Sequence, residues 1–359
     1  MKKDVIAFSK LKMPAKRPSK ETLNHPGLIA LASGLNPFTQ TKEAYLKAYA
    51  SLGIDIINRV PEENAPEPLK PGECQTLDGD YNKSHLGLYD TYCKVKFPFA
   101  DVDDFFAADE ITLDYSQLIT PVPHALDKAE IERKISVIGD IGLYYYMYYT
   151  NLFMWGVEYL GWEVFMLASS IDPEGFKEKF LDKAFQKSYQ AIQLLSEIDS
   201  PFVFVHDDLS HATGPVFPPA WYDQYIFPRY GELWAPARKA GKKIIFTADG
   251  NMSDFIEPLK AAGVDGVMFE NPATDFDLIL QAFGDKIVIG GVDTNLLTFG
   301  TPDQIKNHVR DVAEKTRDVA GFAMSTPGGI HGNIPLKNLE TYFDVRAEYG
   351  FTPENWRKV

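Results

Sequence analysis

Six side chains able to carry charge or bind a cation fall at the ends of short apolar runs in the second half of the chain. His206, Asp207 and Asp208 follow Phe202 to Val205, Asp249 follows Ile244 to Phe246, Glu270 follows Val267 to Phe269, and Asp293 follows Ile287 to Ile289. Carboxylates gathered in one place repel one another unless a cation or a proton neutralises them. Imidazole and carboxylate together suit zinc with an open coordination position, which makes His206, Asp249, Glu270 and His331 the candidate metal ligands. Asp207, Asp208, Asp249 and Asn251 are the candidate catalytic groups. Each acid also has a plain structural reading, as the cap of the helix that follows it.

A second group is aromatic. The stretch from Gly142 to Trp155 contains Tyr144, Tyr145, Met147 and Tyr148. With Phe217 and Asp293 these are the candidate substrate contacts, and an aromatic wall suits a flat, apolar ligand. Packing of the same rings within a helix is the competing reading. Gly290-Gly291, Gly328-Gly329 and Gly332 allow close backbone approach, compatible with an anion held by backbone N–H groups. No G-x-G-x-x-G, P-loop, G-x-S-x-G or H-E-x-x-H arrangement occurs, so dinucleotide, nucleotide, serine-hydrolase and zincin chemistry lack support.

These groups act together only if secondary structure gathers them. From about residue 200 a short apolar run ending in polar residues recurs, followed by an amphipathic stretch closed by glycine, with a fifth run at Gly321 to Ser325. That pattern predicts parallel strands alternating with helices, with functional groups at the strands' carboxyl ends. Thr301-Pro302 with Gln304 predicts a capping box, Asp172-Pro173 opens another helix, and Gly241, Gly263, Gly284 and Gly350 close others. Ile54 to Val60 and Ile135 to Ile138 read as two earlier strands, and residues 61–130, rich in Pro, Gly and Asp, as an insertion. Spacing alone fits an open sheet or a closed barrel.

The chain has 359 residues, 45% of them hydrophobic and 24% charged, enough for one large domain over 1–359 with an extension. Residues 1–130 would supply the extension, a first barrel strand and the insertion, and 131–350 the main barrel. The net charge of −14 repels phosphate backbones and speaks against nucleic acid. No apolar stretch approaches the ~20 residues of a membrane span, and the first residues lack a signal peptide, so a cytoplasmic protein is expected. Two separated cysteines, Cys74 and Cys93, offer neither a disulfide framework nor a cysteine-rich zinc site.

The C-terminal half resembles the uroporphyrinogen decarboxylase and corrinoid methyltransferase superfamily. The resembling features are Asp207-Asp208, Pro218-Pro219, Pro228-Arg229, Thr247-Ala-Asp-Gly-Asn251, Gly263-Val-Asp265, Gly290-Gly-Val-Asp293, and Gly328-Gly-Ile through Pro335-Leu-Lys-Asn338, in the family's order. The resemblance implies a (β/α)8 TIM barrel. It also implies a methyltransferase that passes a methyl group from a small methoxylated donor to cobalamin on a separate corrinoid protein, with zinc as the expected metal. A homodimer is compatible with it. The arginine-rich N-terminal motif of true uroporphyrinogen decarboxylases is missing. Thiol-methylating members hold zinc through a His-x-Cys and a later cysteine, and here those positions are Thr247, Asp249 and Gly328. Oxygen donors leave a more Lewis-acidic metal, suited to an ether or phenol oxygen. A decarboxylase of a uroporphyrinogen-like or smaller acid, and a non-catalytic ligand-binding barrel, are the alternatives.

Overall fold

A computed structural model describes residues 2–357 apart from 60, 62–68, 71–72, 78–80, 85–86, 89–90, 116–117 and 119–125. Strands β1 (Ser19–Lys20), β2 (Ile56–Ile57), β3 (Leu143–Tyr144 continuing into Met147–Tyr148), β4 (Phe202–His206), β5 (Lys243–Ala248), β6 (Gly266–Phe269), β7 (Ile287–Gly291) and β8 (Phe322–Ser325) form one parallel sheet. Its two outermost segments are the two halves of β3. Leu143 and Tyr144 pair with Ile56 and Ile57, while Met147 and Tyr148 pair with Phe204 and Val205. One run that bonds β2 on one side and β4 on the other leaves no free edge, so the sheet closes into the (β/α)8 barrel.

Side chains alternate across a strand, and the alternation fills the barrel. Ile56, Leu143, Tyr145, Met147, Phe202, Phe204, Ile245, Ile287, Ile289 and Ala323 form one inner cluster. The helix Lys2–Ser9 closes its lower end with Val5 and Phe8, both fully buried, the Phe8 ring 6.0 Å from that of Phe202. Outer strand faces pack against helices in a larger cluster. The Thr301–Gln304 capping box and the Asp172 cap on Gly175 N–H form as the sequence predicts. Among the described residues no helix is long and apolar enough to cross a membrane.

Three readings of the first half change. Ile135 to Ile138 is not a strand but the end of the helix Lys128–Ile138, capped by Asp127, with Ile131 and Ile138 buried one above the other at helical spacing. The strand in that part of the barrel is β3, within the aromatic run. Ahead of the expected first strand lies β1, two residues with no apolar signal, and Ile54 to Val60 yields only Ile56–Ile57, with Val60 outside the described residues. Between β2 and β3 stand an antiparallel sheet (Cys74–Leu77, Tyr81–Ser84, Thr91–Lys94) and the helix Val102–Ala107, with part of 61–130 outside the described residues.

The last helix, Leu336–Glu348, is locked to the first strand by charge. Glu21 accepts from Arg346 Nη1 at 2.8 Å, from the Tyr342 hydroxyl at 2.6 Å and from the Thr326 hydroxyl at 2.5 Å, with both Glu21 and Arg346 fully buried. Removing one partner of such a pair strands the other charge in low dielectric. Arg346→Leu is expected to lower stability by about 3–5 kcal/mol, read as a fall in the urea-unfolding midpoint.

Candidate functional site at the barrel mouth

Along β4 the inward positions are Phe202, Phe204 and His206, and the register pairs His206 with Thr247 on β5. Both therefore crown the inner cluster at the carboxyl ends of their strands, the barrel mouth. The chain then turns. His206 Nε2 stands 3.1 Å from Asp208 Oδ1, and that oxygen also accepts the Asp249 N–H at 2.8 Å. His206, Asp208 and Asp249 each bring one ligand atom within 4.8 Å of the other two. Glu270 joins from β6 by accepting the Gly250 N–H at 2.9 Å. Gly250 is required here, because its φ is +78° and a Cβ would lie 2.5 Å from the Ser210 carbonyl oxygen. The Tyr149 ring faces His206 at 5.0 Å.

Charge in the mouth is finely balanced. Burial opposes the imidazolium form of His206, but Asp208, through charge and hydrogen bond, with Asp249 and Asp207, pushes its pKa up to about 9. Burial likewise opposes ionisation of Asp208, yet the His206 charge and hydrogen bond and the Asp249 N–H hold it below the ordinary carboxylate range. The Asp249 carboxyl is reached by solvent but partly desolvated. That burial, with repulsion from Asp208 and then Glu270, raises it to about 6 against the pull of His206 and Lys20. The arrangement thus offers a stored proton on His206, an acid near neutrality in Asp249, and oxygen and imidazole donors for a divalent cation.

Of the residues named from sequence, His206, Asp208, Asp249 and Glu270 share this mouth, and Asn251 adjoins it. The Asn251 side-chain oxygen accepts Ser253 N–H and shapes the turn. Asp207 does not face the mouth. It is fully buried on the outer side of the strand, accepting Leu152 N–H at 2.9 Å, Met154 N–H at 2.7 Å, the Asn151 amide at 3.1 Å and the Tyr230 hydroxyl at 2.7 Å. Asp293 caps the helix Thr294–Phe299 through Asn295 N–H. His331 lies outside the His206 cluster, in the loop after β8, near His25, whose pKa is lowered by burial and, to a lesser degree, by the charge of His331.

The aromatic run splits by parity. Tyr145 and Met147 point into the barrel, the Tyr145 ring 4.0 Å from Phe204, whereas Tyr144 and Tyr148 point out against the helices, Tyr148 bonded to Ser188. Phe217 stacks on Trp221 at 4.4 Å in the outer packing. Tyr149 and Lys20 face the mouth without having been singled out for that place. Parity along β3 would have found Tyr149. A lysine in a two-residue strand gives no signal.

A parallel barrel with an imidazole and carboxylates at the carboxyl ends of its strands defines the class. The Uroporphyrinogen decarboxylase (URO-D) family profile matches residues 161–349, and the chain belongs to that family. Over 128 residues it is 27% identical to the methylated-thiol--coenzyme M methyltransferase of Methanosarcina mazei, covering 35% of this chain and 32% of that protein. The aligned stretch is thus about a third of that relative's length. A solved structure, the methyltransferase from Methanosarcina mazei, superposes with a TM-score of 0.64 at 14% identity, covering 97% of this chain and 98% of that one. This likeness shows the fold.

Two outcomes follow from the geometry. His206 has its folded pKa raised, so its stabilising contribution is complete below the ordinary value of 6.5 and is lost as pH climbs through about 9. In Asp208→Asn the His206 midpoint, read by NMR of its ring proton, is expected to fall and the pH dependence of the melting temperature over that window to flatten. Asp207→Ala leaves two backbone N–H groups, the Asn151 amide and a buried hydroxyl without their acceptor. A loss of about 2–4 kcal/mol in chemical unfolding is expected.

Proposed function

We propose that this protein is a methyltransferase that takes a methyl group from a small methoxylated compound and delivers it to cobalamin on a separate corrinoid protein. Family membership and the methyltransferase named among the relatives support methyl transfer. The observation that carries the donor class is the chemistry of the mouth, where one imidazole and two carboxylates converge within 4.8 Å and, among the described residues, no cysteine takes part. The side chain at Thr247, buried with its hydroxyl lacking a partner, leaves an oxygen atom beside His206.

A phenolate, with a pKa near that of tyrosine at ~10, leaves poorly unless its oxygen is protonated or coordinated as the C–O bond breaks. In this reading Asp249, its pKa raised to about 6, meets that oxygen and in its protonated form neutralises the departing charge. Asp208 holds His206 and the Asp249 backbone, while Glu270 fixes Gly250 and with it the turn that aims Asp249. The donor set fits zinc, which His206, Asp208 and Asp249 would hold. When bound, it would supply Lewis acidity at the ether oxygen. His206 must give up its proton to become a ligand, so zinc affinity in this reading rises with pH towards 9. Tyr149 and Tyr145 offer aromatic surface for the donor.

The test is methylation of cob(I)alamin from methoxylated compounds, followed spectroscopically. Asp249→Ala is expected to lower the rate at least 100-fold with an unaltered circular dichroism spectrum. Activity retained in that variant would reject the assignment, and release of CO2 without cobalamin would favour a decarboxylase.

A further inference from the structure

Lys20 is a charge placed where a barrel interior ordinarily has an apolar side chain. Its register partners are Ile56 on β2 and Ser325 on β8, and Ile56 belongs to the inner cluster. Paired residues of neighbouring strands point to the same face, so the Lys20 side chain enters the barrel. The residue is 4% exposed. An ammonium has three N–H donors. Among the described residues Lys20 makes one hydrogen bond, to Thr22 Oγ1 at 3.1 Å, and no ion pair. The Thr22 hydroxyl is itself committed to Asn58 Oδ1 at 3.0 Å. Its neighbour Glu21 faces the opposite way and is taken by Arg346.

A buried ammonium with so little compensation is expensive, and low dielectric magnifies its pull on any anion that enters. Burial pulls the Lys20 pKa down, and Glu21 and then Asp249, across the mouth, oppose that by charge alone. The glycine-rich loop after β8 lies beside the same strand end. Ile330 N–H donates to the Thr22 carbonyl at 2.8 Å, a Cβ on Gly329 would come 2.6 Å from that oxygen, and the space beside Gly328 is open. The mouth therefore has a cationic side at Lys20 and an anionic side at Asp208, Asp249 and Glu270.

We propose that Lys20 anchors a carboxylate of the methyl donor, so that the substrate is a methoxylated acid lying with its carboxylate at Lys20 and its ether oxygen at Asp249. This rests on the methyltransferase reading for the identity of the reacting end, but not for the anchoring itself. The reversed orientation would set the carboxylate against Asp208 and Asp249, where like charges repel. Polarity across the mouth thus selects both the class of substrate and its direction.

Binding measured by calorimetry on the purified protein, without any corrinoid, separates the two ideas. The probes are 2-, 3- and 4-methoxybenzoate and methoxyacetate, each paired with its neutral carboxamide. At least one acid is expected to bind tenfold or more tightly than its carboxamide in the wild type. In Lys20→Gln that preference is expected to vanish while carboxamide affinity stays within twofold. Lys20→Met removes the buried charge at similar volume and is expected to melt no lower than the wild type, which keeps the comparison open if Lys20→Gln folds poorly. Absence of any acid preference in the wild type, or its survival in both variants, overturns the proposal. So does CO2 release from the bound acid, since the carboxylate would then be the reacting group. Acid preference that depends on Lys20, without methylation of cob(I)alamin, supports the anchor and rejects methyl transfer.

Discussion

The barrel's closure through one six-residue run is the constraint on which the mouth depends. Residues 143–148 bond β2 with their first half and β4 with their second, so the strand has no freedom to slip without breaking both ladders. That fixes parity: Tyr145 and Met147 fill the interior, Tyr144 and Tyr148 meet the helices, and Tyr149 emerges over His206. Parity on β4 follows from the same pairing, and it separates two neighbouring titratable groups. His206 faces the cavity and Asp207 faces away, where it gathers the N–H groups of Leu152 and Met154 and so ties the segment leaving β3 to the end of β4. Asp207 positions the mouth while taking no place in it.

Asp208 links structure to chemistry. A single oxygen of this side chain meets His206 Nε2 and accepts the Asp249 backbone N–H, so the turns after β4 and β5 are joined through the group that sets the protonation of both neighbours. Its ionised form draws His206 upward and, by repulsion, Asp249 as well. The result is a mouth in which one proton is held firmly to about pH 9 and another is near balance at about pH 6, a division of roles made by environment.

How far this was readable from sequence differs between the halves. The later strands announced themselves because each is a short apolar run buried on both faces and stopped by a polar residue, which few other elements resemble. The early ones did not. β1 has two residues and carries a lysine inward, and β3 is aromatic enough to pass for a helix face, while Ile135 to Ile138 has the β-branched look of a strand and is helical because Ile131 and Ile138 stack on one side. Strand ends pointed to Asp249 and Glu270, which the structure sets beside one another, but could not say which of His206, Asp207 and Asp208 turns inward, since one residue of phase decides it. Asp293 and Asp207 proved to serve as helix cap and buried anchor, the structural roles open to any acid at such a turn.

The donor set bears on what cation the mouth tolerates. With Asp208 held ionised and Asp249 near its midpoint, the cluster keeps close to one compensating positive charge, and in the free protein the His206 proton supplies it. A divalent ion bound by the same three side chains would displace that proton and ionise Asp249, exchanging one balanced state for another with little change in local charge. Either state offers a departing oxygen a proton or a cation, with Thr247 beside it and Lys20 on the far side. An ether oxygen tolerates that setting in both states, because neither asks it to carry a full negative charge into low dielectric as it leaves.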